Sequence, residues 1–276
     1  MIKKKESTPK KVVFVVINLA NEPEQRKNTA KYAAELAKQL GLGLVVHPKY
    51  EGTEYPFLAA YKKVYRMMRT LHVRCRMSKE QTSFFTSINT IARKQNAASI
   101  VIGVSESLKK AREQKEFSRD MWNVANDASI PIFLVGKEVA FDPFSEITIA
   151  VDSSRRIQKV NFLKWLVTEV TMVNVFIEKA NDLKKKQEIE TTLRQILSYL
   201  SVQKISYKTE IAREETDYAE HLMRFAASRS KLLIIEVEGT IDSDLKKNLQ
   251  KVLFSKNQRF AVMLIRSKDV TISRWL

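Results

Sequence analysis

The chain is 276 residues long, 44% hydrophobic and 29% charged, with 48 Lys and Arg against 31 Asp and Glu for a formal net charge of +17. That length supports one large domain or two medium ones with a full core, and that composition excludes a disordered or membrane-embedded chain. A single cysteine, Cys75, excludes an internal disulfide and points to a reducing, cytoplasmic setting.

Basicity is uneven along the chain. Residues 1–141 hold 25 basic and 13 acidic side chains, and residues 142–276 hold 23 and 18. A positive field attracts nucleic acid, anionic lipid or acidic proteins, although a lysine-rich solvated surface is the plainer reading. Residues 1–10 read as a basic disordered tail. The apolar run after it, VVFVVI, is too short for a secretory core or a membrane span, so no membrane partner is expected.

Val12 to Asn18 is the first predicted strand, and Pro23 opens a helix whose apolar positions are Tyr32, Ala33, Leu36, Ala37 and Leu40. Gly41 is a good residue to stop it. A second strand runs from Leu42 to His47 and ends at Pro48. The next helix places Leu58, Tyr61, Tyr65 and Met68 on its apolar face. His72 to Ser78 alternates as an edge strand should, with Val73, Cys75 and Met77 on one face and Arg74 and Arg76 on the other. A third helix carries Phe84, Phe85, Ile88, Ile91 and Ala92; SIVIGV (99–104) reads as a central strand, and a charged helix with Phe117, Met121 and Val124 follows. Pro131 opens the strand IFLVG, and KEVAFDPFS is the linker.

The second half repeats this order: strands ITIAVD, MVNVFIE, ISYKTEI, KLLIIEV and FAVMLI, with helices expected over 155–170, 182–200, 216–229 and 241–257. Phe162, Leu163, Leu166, Val167 and Val170 reproduce the spacing of the first helix face, displaced by 130 residues. Tyr218, Ala219, Leu222, Phe225 and Ala226 reproduce that of the third, displaced by 134. One α/β module is written twice.

AVDSS at 150–154, IVIGV at 100–104 and PIFLVG at 131–136, set in this order of elements, resemble the tandem universal stress proteins. The resemblance implies an α/β fold of two flavodoxin-like or Rossmann-like doubly wound domains, 11–141 and 142–276. Each would hold a five-stranded parallel sheet of order 3-2-1-4-5, and the two would pair through their last strands. It also implies a nucleotide-phosphate loop after the fourth strand, built on glycines so that the backbone can approach phosphate. Here that loop is degenerate. Gly103 matches the first glycine in the first half, but Glu106 stands for the second and Glu116-Phe117 for the final pair, with Ser118 recoverable by a one-residue insertion. In the second half Glu236 replaces the first glycine, Gly239 and Thr240 remain, and Leu249-Gln250 occupy the last pair.

Asp152, with Ser153, holds the position that contacts adenine in ATP-binding relatives, and Ile17 or Asn18 is its counterpart in the first half. A helix-start cap is the favoured reading of Asp152. The vestigial nucleotide site is therefore Asp152, Ser153, Gly239, Thr240, Asn18, Gly103 and Ser118. The expected cofactor is none, with ATP or AMP as the alternative.

His47, His72 and His221 lack partners at metal-ligand spacing, so no metal is expected. Cys75 on an apolar strand face reads as a packed thiol rather than a nucleophile. Glu214, Glu215 and Asp217 precede a helix and suit its positive end. The basic segment Lys62, Lys63, Arg66, Arg69, Arg74, Arg76 and Lys79 has no acid until Glu80. A solvated helix face beside a charged edge strand is favoured over a nucleic-acid surface. The whole reads as a non-catalytic cytoplasmic stress-response protein acting by protein binding, as a homodimer or as a pseudo-dimer within one chain. Nucleotide binding with weak hydrolysis and a nucleic-acid-associated role are the alternatives.

Overall fold

The computed structural model of the protein describes residues 11–19, 21–49, 54–78, 88–104, 119, 121–125, 127–138, 142–153, 157–212, 217–237, 243–253 and 259–266. In chain order the first half runs β1 (Val12–Asn18), α1 (Pro23–Gln39), β2 (Gly43–Lys49), α2 (Glu54–Met68), β3 (Cys75–Met77), α3 (Ile88–Lys94), β4 (Ala97–Gly103) and β5 (Ile132–Val135). The second runs β6 (Glu146–Val151), α4 (Gln158–Leu166), β7 (Met172–Ile177), α5 (Leu183–Val202), β8 (Tyr207–Ile211), α6 (Tyr218–Arg229), β9 (Leu232–Val237), α7 (Ser243–Leu253) and β10 (Ala261–Arg266). Residues 121–125 are also helical. The proposed tail at 1–10 lies outside the described residues.

The strand order is β3-β2-β1-β4-β5-β10-β9-β6-β7-β8. Each half on its own therefore has the order 3-2-1-4-5 expected above. The two halves are not separate sheets, however. β5 pairs antiparallel with β10 through Ile132↔Leu264, Phe133↔Met263 and Leu134↔Val262, and all ten strands form one sheet. β5 is wholly apolar and β10 is apolar up to Arg266 at its end, so each edge is better satisfied by the other than by water.

β-Branched strands buried on both faces divide the core in two by alternation. Val13, Val15 and Ile17 face α1, α2, α4 and α5, whereas Phe14 and Val16 face α3, residues 121–125, α6 and α7. Across the seam, Tyr32 of α1 packs its ring 6.0 Å from both Phe133 and Phe144. Asn28 Nδ2 donates to Lys137 O at 2.7 Å, tying the linker down on α1. The Gln39 side-chain amide reaches the Trp165 and Val167 carbonyls at the end of α4.

Local signals held in several places. Gly41 adopts φ +64°, and Leu42 N closes α1 onto Ala37 O at 2.8 Å. Asp182 and Asp217 cap α5 and α6, accepting from Lys185 N at 2.9 Å and Ala219 N at 2.8 Å. Val73, Cys75 and Met77 pack inward while Arg74 and Arg76 are exposed.

Three expectations fail. Pro48 lies inside β2, which continues to Lys49. Leu44 N donates to Arg74 O, Val46 O accepts from Ser78 N, and Lys49 O accepts from Leu19 N. Even positions therefore face β3 and odd ones β1. The N–H that proline lacks points to a side where β3 has already ended, so the ladder loses nothing. In α2 Met68 is buried as expected, but Val64 is buried and Tyr65 exposed, because the helix is turned to cover the β2–β3 side of the core; the side chains of Leu58 and Tyr61 lie outside the described residues. α4 stops at Leu166, leaving Val170 exposed in a turn; its inner face is Val160, Phe162, Leu163 and Leu166.

Because the seam is continuous, Phe133→Ala is expected to cost the whole chain about 3–5 kcal/mol, the usual scale for an emptied aromatic site. Urea unfolding followed by both circular dichroism and tryptophan fluorescence should show one coincident transition moved to lower denaturant. Two separated transitions would show that the halves unfold independently.

Candidate functional site

In open α/β sheets ligands bind beyond the carboxyl ends of the strands, and each half has such an end. In the second half the register pairs Val151 with Ile177 and Ile149 with Ile234. That register brings Asp152, Glu178 and Glu236 to the same rim. In the first half Asn18 pairs with Lys49, and Val16 pairs with Ile102, one residue before Gly103. Taking Gly103 and Glu236 as equivalent positions, Asn18 rather than Ile17 is the counterpart of Asp152.

Asp152 does not cap a helix. α4 begins only at Gln158, its N-cap is Ile157, and no side chain bonds to its first turn from that position. The carboxylate that does reach the first turn comes from Glu236, whose Oε2 accepts from Lys159 N at 3.1 Å; both residues are buried. An N-terminal N–H with the helix dipole behind it is where an anion binds most readily. Here the protein supplies the anion itself. One strand over, Glu178 Oε2 accepts from Ser153 N at 3.1 Å, in the turn that follows β6.

The first half fills the matching place with a hydroxyl. A Cβ placed on Gly103 would meet Thr29 of α1, with Cγ2 at 3.2 Å and Cβ at 3.3 Å and the hydroxyl oxygen nearer still. The glycine is required because α1 packs against the end of β4. Thr29 is 1% exposed and donates to Gln25 O at 2.9 Å. Gln25 is also buried, with its Nε2 lacking a partner. Gly239, Thr240 and Ser118, with Glu106, Glu116 and Phe117, lie outside the described residues. Leu249, placed at the last pair of the second loop, is a core residue 1% exposed.

Below the second rim, Tyr218 stacks on Phe176 at 5.7 Å, and its hydroxyl makes long contacts of 3.4 and 3.5 Å with Val151 O and Phe176 O. Burial first, then the charges of Asp152 and Glu178, push its pKa well above the ordinary tyrosine value. Periodicity alone marks Tyr218 as a helix-face residue; its position under two carboxylates depends on strand register.

The basic segment is exposed at Lys62, Lys63, Arg66, Arg69, Arg74 and Arg76; Lys79 lies outside the described residues. It does not share one face. α2 covers the side of the sheet toward which Cys75 and Met77 point, so Arg74 and Arg76 are directed to the other side. The histidines are also dispersed: His47 stacks on Phe14 at 5.6 Å, His221 meets Phe176 edge-on at 5.1 Å, and His72 lies in the turn before β3. Among the described residues, no group of three or more His, Cys, Asp or Glu is arranged to hold a metal ion. Cys75 is half-buried, and burial raises its thiol pKa.

No protein-family model matches the chain, and no curated protein matches it in sequence. Solved structures do match its fold. A universal stress protein from Archaeoglobus fulgidus DSM 4304 aligns with a TM-score of 0.65 at 12% identity, over 93% of this chain and 97% of that one. A protein described as a universal stress protein from Pseudomonas aeruginosa UCBPP-PA14 aligns with a TM-score of 0.63 at 13% identity, over 96% of each chain. A protein of unknown function from Pseudomonas aeruginosa PAO1 follows with a TM-score of 0.59 at 13% identity, over 95% of each. The resemblance to the tandem universal stress proteins thus holds for the fold along nearly the whole chain.

Two predictions follow from the rims. Gly103→Ala is expected to destabilise the protein by about 1–3 kcal/mol through overpacking against Thr29, and Thr29→Ala should restore most of the loss. Thermal unfolding of the two single variants and the double variant measures the coupling, and simple additivity would refute the interlock. The second concerns alkali. Tyr32 is buried and Tyr218 partly buried, and burial raises the pKa of both hydroxyls, so the unfolded chain ionises them first as pH rises. Stability is full below the usual tyrosine pKa of about 10 and falls above it by up to about 1.4 kcal/mol per pH unit for each group. Tyr218→Phe should flatten that fall in a pH series of urea midpoints.

Proposed function

We propose that the protein is a non-catalytic, universal-stress-protein-like protein of the cytoplasm that acts in stress response by binding other proteins, with no adenine nucleotide as cofactor. The observation that carries this reading is Glu236 Oε2 on Lys159 N. An incoming phosphate would have to displace a buried carboxylate from the helix start and then lie beside it as a like charge. Thr29 against Gly103 closes the corresponding place in the first half.

The pairing of β5 with β10 supports a pseudo-dimer made within one chain, since the last strand of each half is already satisfied. The single thiol is consistent with a reducing compartment. No helix among the described residues is long and apolar enough to cross a membrane. The basic segment does not carry a nucleic-acid reading, because Lys62, Lys63, Arg66 and Arg69 lie on or beside α2 on one side of the sheet while Arg74 and Arg76 point to the other.

Isothermal titration of the full chain with ATP, AMP and adenosine tests the proposal. No saturable heat is expected with any of the three. Micromolar ATP binding that disappears in Asp152→Ala would establish the nucleotide-dependent reading in its place.

A further inference from the structure

The ten-stranded sheet ends on β3 at one side and on β8 at the other, and the two edges are built differently. β3 is three residues long, and the exposed side chains beside and within it, Arg74 and Arg76, carry one sign of charge. A short, like-charged edge repels its own kind. β8 is five residues long, and all five are exposed. Its sequence YKTEI balances one Lys against one Glu, and Ile211 is 61% exposed. Among the described residues no strand pairs with its outer side.

Register decides what that side can accept. Ser206 O accepts from Val173 N at 2.9 Å and Ala212 N donates to Ile177 O at 2.8 Å, so even positions direct their backbone groups to β7. Alternation then sends the N–H and C=O of Tyr207, Thr209 and Ile211 outward. Consider a second β8 laid antiparallel, with Thr209 opposite Thr209 and Tyr207 opposite Ile211. Each outward residue then exchanges both backbone bonds with its counterpart. Lys208 falls opposite Glu210 on both sides of the axis, in the non-bonded positions where side chains lie closer. Aromatic against β-branched, threonine against threonine and opposite charges are the cross-strand pairs that stabilise a sheet. Other registers are worse. Centring the pair on Lys208 sets lysine against lysine, and centring it on Glu210 sets carboxylate against carboxylate. A centre between two residues sets outward groups against inward ones.

We propose that β8 is the docking edge for a second copy of this chain, joined antiparallel about a two-fold axis at Thr209. The strand is complementary to itself, so the contact is the same on both copies and closes at two. It continues the sheet of one molecule into that of the other, as β5 and β10 do within one molecule. The contact is small, so the dimer is weak and reversible. What the strand rims bind has no part in it.

Sedimentation velocity of the full chain over a concentration series tests the proposal. A reversible monomer–dimer equilibrium is expected, with dimer prominent by about 100 μM. Thr209→Pro removes the central N–H, which points away from β7, and should leave a monomer of unchanged thermal stability. Lys208→Glu and Glu210→Lys each set like charges opposite one another and should weaken self-association at least about tenfold. Mixed together, these two variants should pair with each other at about the parent strength, because every like pair becomes an opposite one. A merely local disturbance of the strand would not be repaired by mixing. A monomer at every concentration would overturn the proposal and leave the edge to an extended segment of another protein. Assemblies that grow beyond two, a dimer unmoved by Thr209→Pro, or a mixture no stronger than its components would overturn it equally.

Discussion

Everything in this protein hangs on one antiparallel pairing, β5 with β10. A five-stranded parallel sheet whose fifth strand reads IFLV cannot leave that strand facing water without exposing both its backbone and its side chains. Joining two such sheets at this line removes both liabilities together and yields a core with two continuous faces. The pairing also sets what lies across the join. α1 and α4 come close enough for Gln39 to reach the carbonyls at the end of α4, and the linker crosses α1 under the grip of Asn28 and Phe144.

The two strand rims solve one problem in different ways. A helix beginning beside the end of a strand presents unpaired N–H groups and a positive dipole, which must be satisfied by ligand, water or protein. In the second half the Glu236 carboxylate accepts from one of them, Lys159 N. In the first, Pro23 at the start of α1 removes one donor outright, and Thr29 closes the gap against Gly103. A side chain fixed in such a place binds nothing else there, yet it holds helix and strand in register without any cofactor.

Much of this was legible in the sequence. The strands announce themselves as β-branched runs, the αL stop at Gly41 and the cap at Asp217 follow from side-chain chemistry, and the doubled helix faces give the repeat. What the sequence hides is direction. Tyr65 and Val64 are adjacent, and which one is buried depends on how α2 is rotated against β2 and β3. Pro48 looks like a strand terminator until the register shows that its missing donor points past the end of β3. Asp152 is an ideal capping residue by type, but the helix starts six residues later and takes its carboxylate from a residue 77 positions away in the chain. Local chemistry says what a residue can do, and the three-dimensional neighbour decides whether it does so.

The seam also has a meaning in time. β5 is complete at Val135, whereas its partner does not begin until Ala261. At a synthesis rate of roughly 5–20 residues per second, the first half must wait on the order of ten seconds with its most apolar edge uncovered. During that wait a neighbouring nascent chain is the competing partner, because any exposed edge pairs with another of its kind. The first half is also the more basic one, with 25 cationic side chains against 13 anionic in residues 1–141. Like net charge on two half-made copies works against that competing pairing until the chain can close on itself.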